Sequence, residues 1–299
     1  MTTASPSAPR SGTPATASRG GAFLRALRAL FGQPGSAFGS AVVLLFLLLA
    51  LVGPWVAPYG ANQQVLAEAR QPPSLERPFG TDHLGRDVFS RVILGTRDVI
   101  SLAGLGSLVA VLVGAAVGLV TTFVGGWLEE VTFRAFDSLL AMPALLLALL
   151  LLGMLGPSRA NVLWVLALAY VPIVARVVRS VVLGVKTKDY VAASRMQGEP
   201  LGAILVRDVL PAVLPALAVE AALRFSYAIF LVASLGFLGA GVQPPSPDWG
   251  LMIREARTFA QLTPWALYAP AAAIALLVVA VNLMAEGLAR ALQVRGIDR

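Results

Sequence analysis

Apolar and polar residues segregate along this chain on the scale of whole helices rather than of single turns. No charge occurs between Arg28 and Glu68. Inside that window Phe38–Ala57 matches the roughly 20 residues a helix needs to cross a bilayer core. Further uncharged windows lie at Val99–Trp127, Ser138–Ser158 with Val131–Asp137 as its approach, Ala160–Ala175, Phe225–Val242 and Thr258–Ala285. The pattern predicts an all-α polytopic membrane protein with six transmembrane helices. The fourth continues past Arg176 and Arg179, two residues at i,i+3 spacing that can snorkel to the headgroups.

Composition agrees: the 299 residues are 57% apolar and 13% charged, far from soluble averages. Residues 1–35 read as a disordered tail of Ser, Thr, Pro, Ala and Gly followed by a short segment, Phe23–Phe31, with helical spacing around Arg25 and Arg28. That segment suits an amphipathic helix on an anionic surface and equally a plain basic flank. The long tail and the lack of a small-x-small cleavage site favour an uncleaved anchor over a signal peptide. Residues 36–98 then hold the first span and an outer loop, 99–288 a five-helix core, and 289–299 a C-terminal tail. There is no cysteine, so disulfides and thiolate metal sites are excluded. The net charge of +7 belongs with membrane flanks, and no nucleic-acid partner is expected.

Placing the tail, the second connection with Arg134, the fourth with Arg176, Arg179, Lys186, Lys188, Arg195 and Arg207, and the C-terminus on one side gives fourteen Lys and Arg against eight opposite. Both termini are therefore expected in the cytosol. The dense cluster at 176–207 dominates that count.

Two connections are too long to be turns, and partners attach to such connections. The outer one, Pro58–Asp98, carries Gly80-Thr81-Asp82-His83-Leu84-Gly85-Arg86-Asp87, rich in turn formers and in groups for charge-assisted hydrogen bonds. His83 is the only histidine, too few ligands for a transition-metal site. The inner one is Lys186–Pro211. Asp189 is placed to cap a helix from Tyr190 to Gln197, Gly198 to end it, and Pro200 to open a second helix. Two short helices meeting at Gly198 make a knob whose small residues Ala192, Ala193 and Ser194 allow close approach by another protein. A solvated loop is the plain alternative.

No phosphate-binding Gly-x-x-x-x-Gly-Lys-Ser/Thr occurs, and with one His neither a zinc-protease helix nor a Ser-His pair can be built. The chain is read as a transport protein, not an enzyme. Ionisable residues within spans are few: Arg134 with Asp137, and Glu220 with Arg224, each spaced to pair on one helix face.

Phe79–Arg91, the loop 189–211 and the run Leu231–Met252, which includes Ser234-Leu235-Gly236-Phe237-Leu238-Gly239-Ala240-Gly241 and Gln243-Pro244-Pro245, together resemble the permease subunits of ATP-binding-cassette importers for dipeptides, oligopeptides and nickel. The likeness extends from about residue 38 to 292 and includes Trp265, Pro270, Asn282, Gly287 and Leu288. It implies a type I importer permease of a bacterial-type plasma membrane. Alternating access would be driven by two separate ATPase subunits that use ATP and Mg, this chain binding no cofactor. A second similar permease and an extracytoplasmic solute-binding protein complete the set, the latter facing residues between Pro58 and Arg97 and Gly239–Arg257. Relatives' docking motif begins Glu-Ala-Ala, has glycine four residues after the second Ala, and closes with Leu-Pro. Here the matching residues are Ala192-Ala193-Ser194, Gly198 and Leu210-Pro211, within a loop running through Asp189, Tyr190 and Val191. Ala192 in place of glutamate implies docking by shape, without an ion pair at that position. Peptide is the expected substrate, with nickel or a metal chelate as the alternative and a self-contained secondary transporter or channel as the reading from another class. The substrate-contacting residues are not implied.

Overall fold

The computed structural model describes residues 31–297, with side chains through residue 292. The expected tail at 1–30, with most of the Phe23–Phe31 segment, lies outside the described residues. So do Arg295 and Arg299 of the charge count, as far as their side chains go.

Among the described residues every regular element is helical: α1 (Pro34–Val56), α2 (Val88–Val124), α3 (Gly126–Leu140), α4 (Ala144–Leu155), α5 (Arg159–Val185), α6 (Asp189–Met196), α7 (Leu201–Leu238), α8 (Trp249–Arg257) and α9 (Pro264–Ile297). Five of these, α1, α2, α5, α7 and α9, are long and apolar enough to cross a membrane. The third crossing is made only if α3 and α4 count as one broken span, since they meet at 89°. The break falls at Ala141-Met142-Pro143, where proline lacks the N–H that would continue the helix. With 12 residues α4 is about 18 Å long, short of a bilayer core.

Four boundaries differ from those expected. The outer connection ends at Asp87, so a division at 98/99 cuts through α2. The segment 186–211 contains α6 but not a second separate helix, because α7 runs unbroken from Leu201 into the fifth span. The sixth begins at Pro264, after α8 and a turn closed by Thr263 N–H donating to the Phe259 carbonyl at 2.8 Å. It continues to Ile297, with no separate tail from residue 289.

The core is the parallel pair α2 and α5, in contact from Asp98 with Arg159 at one end to Thr122 with Lys186 at the other, with α9 packed on α1 and α7. Gly106, Ala110, Gly114 and Gly118 recur every fourth residue and face α5 as a small-residue stripe. A methyl group added at Gly114 would stand 2.7 Å from Val174 Cβ, and one at Gly118 2.7 Å from the Ala175 carbonyl oxygen. Backbone-to-backbone approach substitutes for hydrophobic driving force, which is lacking between helices in lipid.

Candidate functional site

At one end of the bundle α6 stands out between α5 and α7. Lys188, not Asp189, is its N-cap residue, and no side chain caps it; Asp189 places its charge in the first turn, favourable to the helix dipole. The helix closes as expected at Gly198, whose φ of 72° lies in the left-handed region. Gly198 N–H donates to the Arg195 carbonyl at 3.1 Å and Glu199 N–H to the Ser194 carbonyl at 3.2 Å, the paired bonds of a Schellman end. Pro200 follows as the extended cap of α7 rather than within its first turn.

The small residues do not share one free surface. Ala192 is exposed and Ala193 half-buried, but Ser194 is buried and its hydroxyl donates to Asp208 at 2.8 Å. Val191 is fully buried against Ile204, Leu205, Val209 and Val213. The outward face is instead carried by Tyr190, Ala192 and Met196, the last 83% exposed. Leu210 is half-buried and Pro211 exposed at the start of the fifth span proper. Two further ties fix the knob. Lys186 Nζ donates to the Thr122 carbonyl in the last turn of α2 at 3.1 Å, and Arg195 lies over the Phe123 ring at 4.3 Å. Beneath, Leu205–Val209 forms a π-helical turn in α7 that presents Arg207 to both oxygens of Glu199 at 2.6 and 2.7 Å.

At the opposite end the Gly80–Asp87 motif folds inward. Thr81, Asp82, Arg86 and Asp87 are buried. Asp82 accepts from the Leu84 and Arg86 N–H groups, both at 2.9 Å, and from Arg86 Nε at 2.6 Å. Arg86 then reaches Glu255 of α8 at 2.6 Å. Asp87 caps α2 by accepting from Ser90 N–H at 2.7 Å. Trp265 of α9 donates its indole N–H to the Thr81 carbonyl at 2.9 Å, and Trp249 of α8 to the Val92 carbonyl at 2.9 Å. The motif is thus a latch that fastens α2, α8 and α9. Arg77 pairs with Glu68 and stacks over Tyr59 at 4.3 Å. His83 lies flat on Phe259, centroids 4.8 Å apart; burial lowers its imidazole below the ordinary value, against the pull of Asp82. Leu84 is half-buried beside it. Among the described residues no group of three or more His, Asp or Glu is placed to hold a metal ion.

The signature run after α7 completes this end. Asp248 caps α8, accepting from Leu251 N–H at 3.0 Å, while its second oxygen has no partner among the described residues. Burial pushes its carboxyl up to about 6. Residues 106–295 match the family model described as the binding-protein-dependent transport system inner membrane component. The chain belongs to that family. Residues 22–73 match in addition the N-terminal transmembrane domain of oligopeptide transport permease C.

Among relatives of this inner-membrane component, the dipeptide transport system permease protein DppC of Alkalihalophilus pseudofirmus is 36% identical over 254 residues, 85% of this chain and 84% of the relative. The di/tripeptide transport system permease protein DppC of Pseudomonas aeruginosa is 40% identical over 265 residues, 86% and 87% of the two chains. The glutathione transport system permease protein GsiD of Escherichia coli is 39% identical over 255 residues, 84% and 83%. The chain is a multi-pass inner-membrane protein and a permease subunit of an importer of the ATP-binding-cassette class.

The candidate charge pairs of this permease divide. Glu220 and Arg224 face each other on α7, Oε1 to Nε 2.8 Å. Arg134 and Asp137 do not pair. Arg134 holds Glu130 one turn back at 2.8 Å, and Asp137 holds Arg176, which α5 brings up to it, at 2.5 Å. Arg179 likewise reaches Glu129 at 2.6 Å, so Arg176 and Arg179 tie α5 to α3 instead of reaching for headgroups.

Proposed function

We propose that this permease moves short peptides across the inner membrane by alternating access, and that α6 is the element seated in a groove of a partner ATPase. The observation carrying this reading is the attachment of α6: exposed Tyr190, Ala192 and Met196 on a helix tied to α2 through Arg195 on Phe123 and to α7 through Ser194 and Asp208. A push on such a helix is delivered to two spans at once. The substrate class rests on the dipeptide, di/tripeptide and glutathione permeases to which the chain is similar over most of its length. The α6 end and both termini lie in the cytosol, in keeping with the excess of Lys and Arg there. The full assembly comprises this chain, a second similar permease, two ATPases that bind ATP and Mg, and an extracytoplasmic binding protein. With Ala192 where relatives carry glutamate, docking depends on shape.

Reconstitution in proteoliposomes tests this. Uptake of a labelled dipeptide should require both ATP hydrolysis and the loaded binding protein. Met196→Asp should abolish uptake and ATPase co-purification while leaving the permease pair intact. Dipeptide uptake without any ATPase subunit would refute the reading.

A further inference from the structure

α7 is the least covered of the long spans apart from the ends of the bundle, with 22% of its apolar window buried inside the chain against 61% for α5. Yet it carries a carboxylate and a guanidinium, Glu220 and Arg224, near the middle of its length. Arg224 lies fourteen residues from the end of α7 at Leu238, about 21 Å along the axis, and Glu220 one turn further. Counted from Leu238 against a hydrocarbon core of roughly 30 Å, Arg224 falls about 9 Å and Glu220 about 3 Å short of the opposite edge, so the pair stands at the α6-side mouth of the membrane. Intramembrane charges are costly and mark solute paths far more often than lipid contacts.

The pair is not arranged as a finished structural brace. Glu220 Oε1 and Arg224 Nε are 2.8 Å apart and nearly buried, and neither atom finds a second polar partner among the described residues. The guanidinium lies between two phenol rings, 5.6 Å from Tyr170 of α5 and 4.8 Å from Tyr227. Tyr227 is 54% exposed on the uncovered side of α7. Glu220 lines a cavity of about 340 Å³ between α5, α7 and α9 that also touches Val177 and Leu292. The carboxylate borders the cavity, and the guanidinium, a helical turn away and 12% exposed, stands behind it against the two rings.

We infer that Glu220 and Arg224 form a station for zwitterionic solutes, exchanging their mutual contact for the two ends of a passing peptide. Arg224 receives the terminal carboxylate and Glu220 the terminal ammonium. The exchange conserves charge: parting a buried pair strands two uncompensated ions, and only a solute that brings both opposite charges replaces both partners. A solute blocked at one end leaves one ion stranded. The inference rests on the peptide-permease reading above and specifies where within the membrane that permease reads its solute.

The test uses the complete reconstituted importer with labelled trialanine in four forms: free, N-acetylated, C-amidated and doubly blocked. Each is delivered by saturating binding protein, and uptake is expressed as variant over wild type so that the binding protein's own preference cancels. Arg224→Gln should lower uptake of free and acetylated peptide tenfold or more while changing the two amides less than twofold. Glu220→Gln should produce the mirror pattern, sparing the acetylated forms. Equal loss across all four forms in both variants would assign the pair a purely structural role and overturn the proposal. If either variant does not assemble, Tyr227→Leu decides. It removes the outer stacking face without stranding a charge and should weaken carboxylate dependence threefold or more, an unchanged end-group profile overturning the proposal. Absence of any peptide uptake by the wild-type complex would instead refute the peptide reading itself.

Discussion

The Ser194 hydroxyl donates to Asp208 across 2.8 Å, fastening α6 to the π-helical turn at the root of α7. The Tyr190 carbonyl is a second acceptor at 3.2 Å. A hydroxyl has one proton, and the charged, shorter partner takes it.

Ser194→Ala should therefore leave the importer assembled but loosen its coupling. A hydrogen bond to a charged group is worth about 1.5–3 kcal/mol, and its loss leaves Asp208 with Arg207 alone on that side. The expected outcome is fewer peptides moved per ATP hydrolysed, read from parallel uptake and phosphate-release assays. An unchanged ratio would show that the bond carries no force.

Two left-handed glycines should respond to the same replacement with very different severity. At Gly198 an added methyl meets nothing within 4 Å, so Gly198→Ala incurs only the backbone cost, about 1–2 kcal/mol. At Gly85, φ 74°, the methyl would stand 2.0 Å from the Val65 carbonyl oxygen. Gly85→Ala should prevent recovery of folded permease, as measured by size-exclusion profile in detergent, where Gly198→Ala should be nearly normal.

Arg86 bridges Asp82 at 2.6 Å and Glu255 at 2.6 Å with its side chain almost wholly buried. Removing it strands buried carboxylates, so Arg86→Ala should cost about 3–5 kcal/mol. The doubly altered Arg86→Leu, Asp82→Asn protein should recover part of that. A melting temperature of Arg86→Ala equal to wild type would contradict the latch.

Asp248 supplies a pH dependence. Its folded-state value of about 6 lies above the ordinary 3.8, so its contribution to stability is complete below about 3.8 and is lost as pH rises through about 6. Asn keeps the capping oxygen and carries no charge. Asp248→Asn should melt higher than wild type at pH 8, by up to roughly 3 kcal/mol of stability, with the difference vanishing near pH 4. A constant offset across that range would rule out titration of this group.

Spans were readable from sequence because uncharged windows of sufficient length have few other physical explanations. What the windows missed were helical residues with charges neutralised by distant partners. The first three turns of α2 contain Arg91 and Asp98, yet Arg91 donates to the Ala61 carbonyl at 3.0 Å, and Asp98 meets Arg159 at 2.5 Å and Ser246 at 2.5 Å. The same blindness misassigned Asp137: spacing on one helix offers Arg134, while packing offers Arg176. Ser194 looked exposed because a small polar residue reads the same outside a helix as beneath it. Gly198 was legible because a left-handed helix end favours glycine for local reasons. The stripe Gly106, Ala110, Gly114 and Gly118, which marks the α2–α5 contact, was not read from the sequence, because small residues inside an apolar window look like any other part of a span.

The inward commitment of the Gly80–Asp87 latch leaves little polar surface at that end to be read from outside. Gln71-Pro72-Pro73-Ser74-Leu75-Glu76, all exposed, rides on the frame, held by the Gln71 backbone to Thr81 and by Ser74 to Arg77. Frame and face are therefore separable: this hexapeptide can change its lettering, or be grafted from a sister permease, without loosening a bond that keeps the helices together.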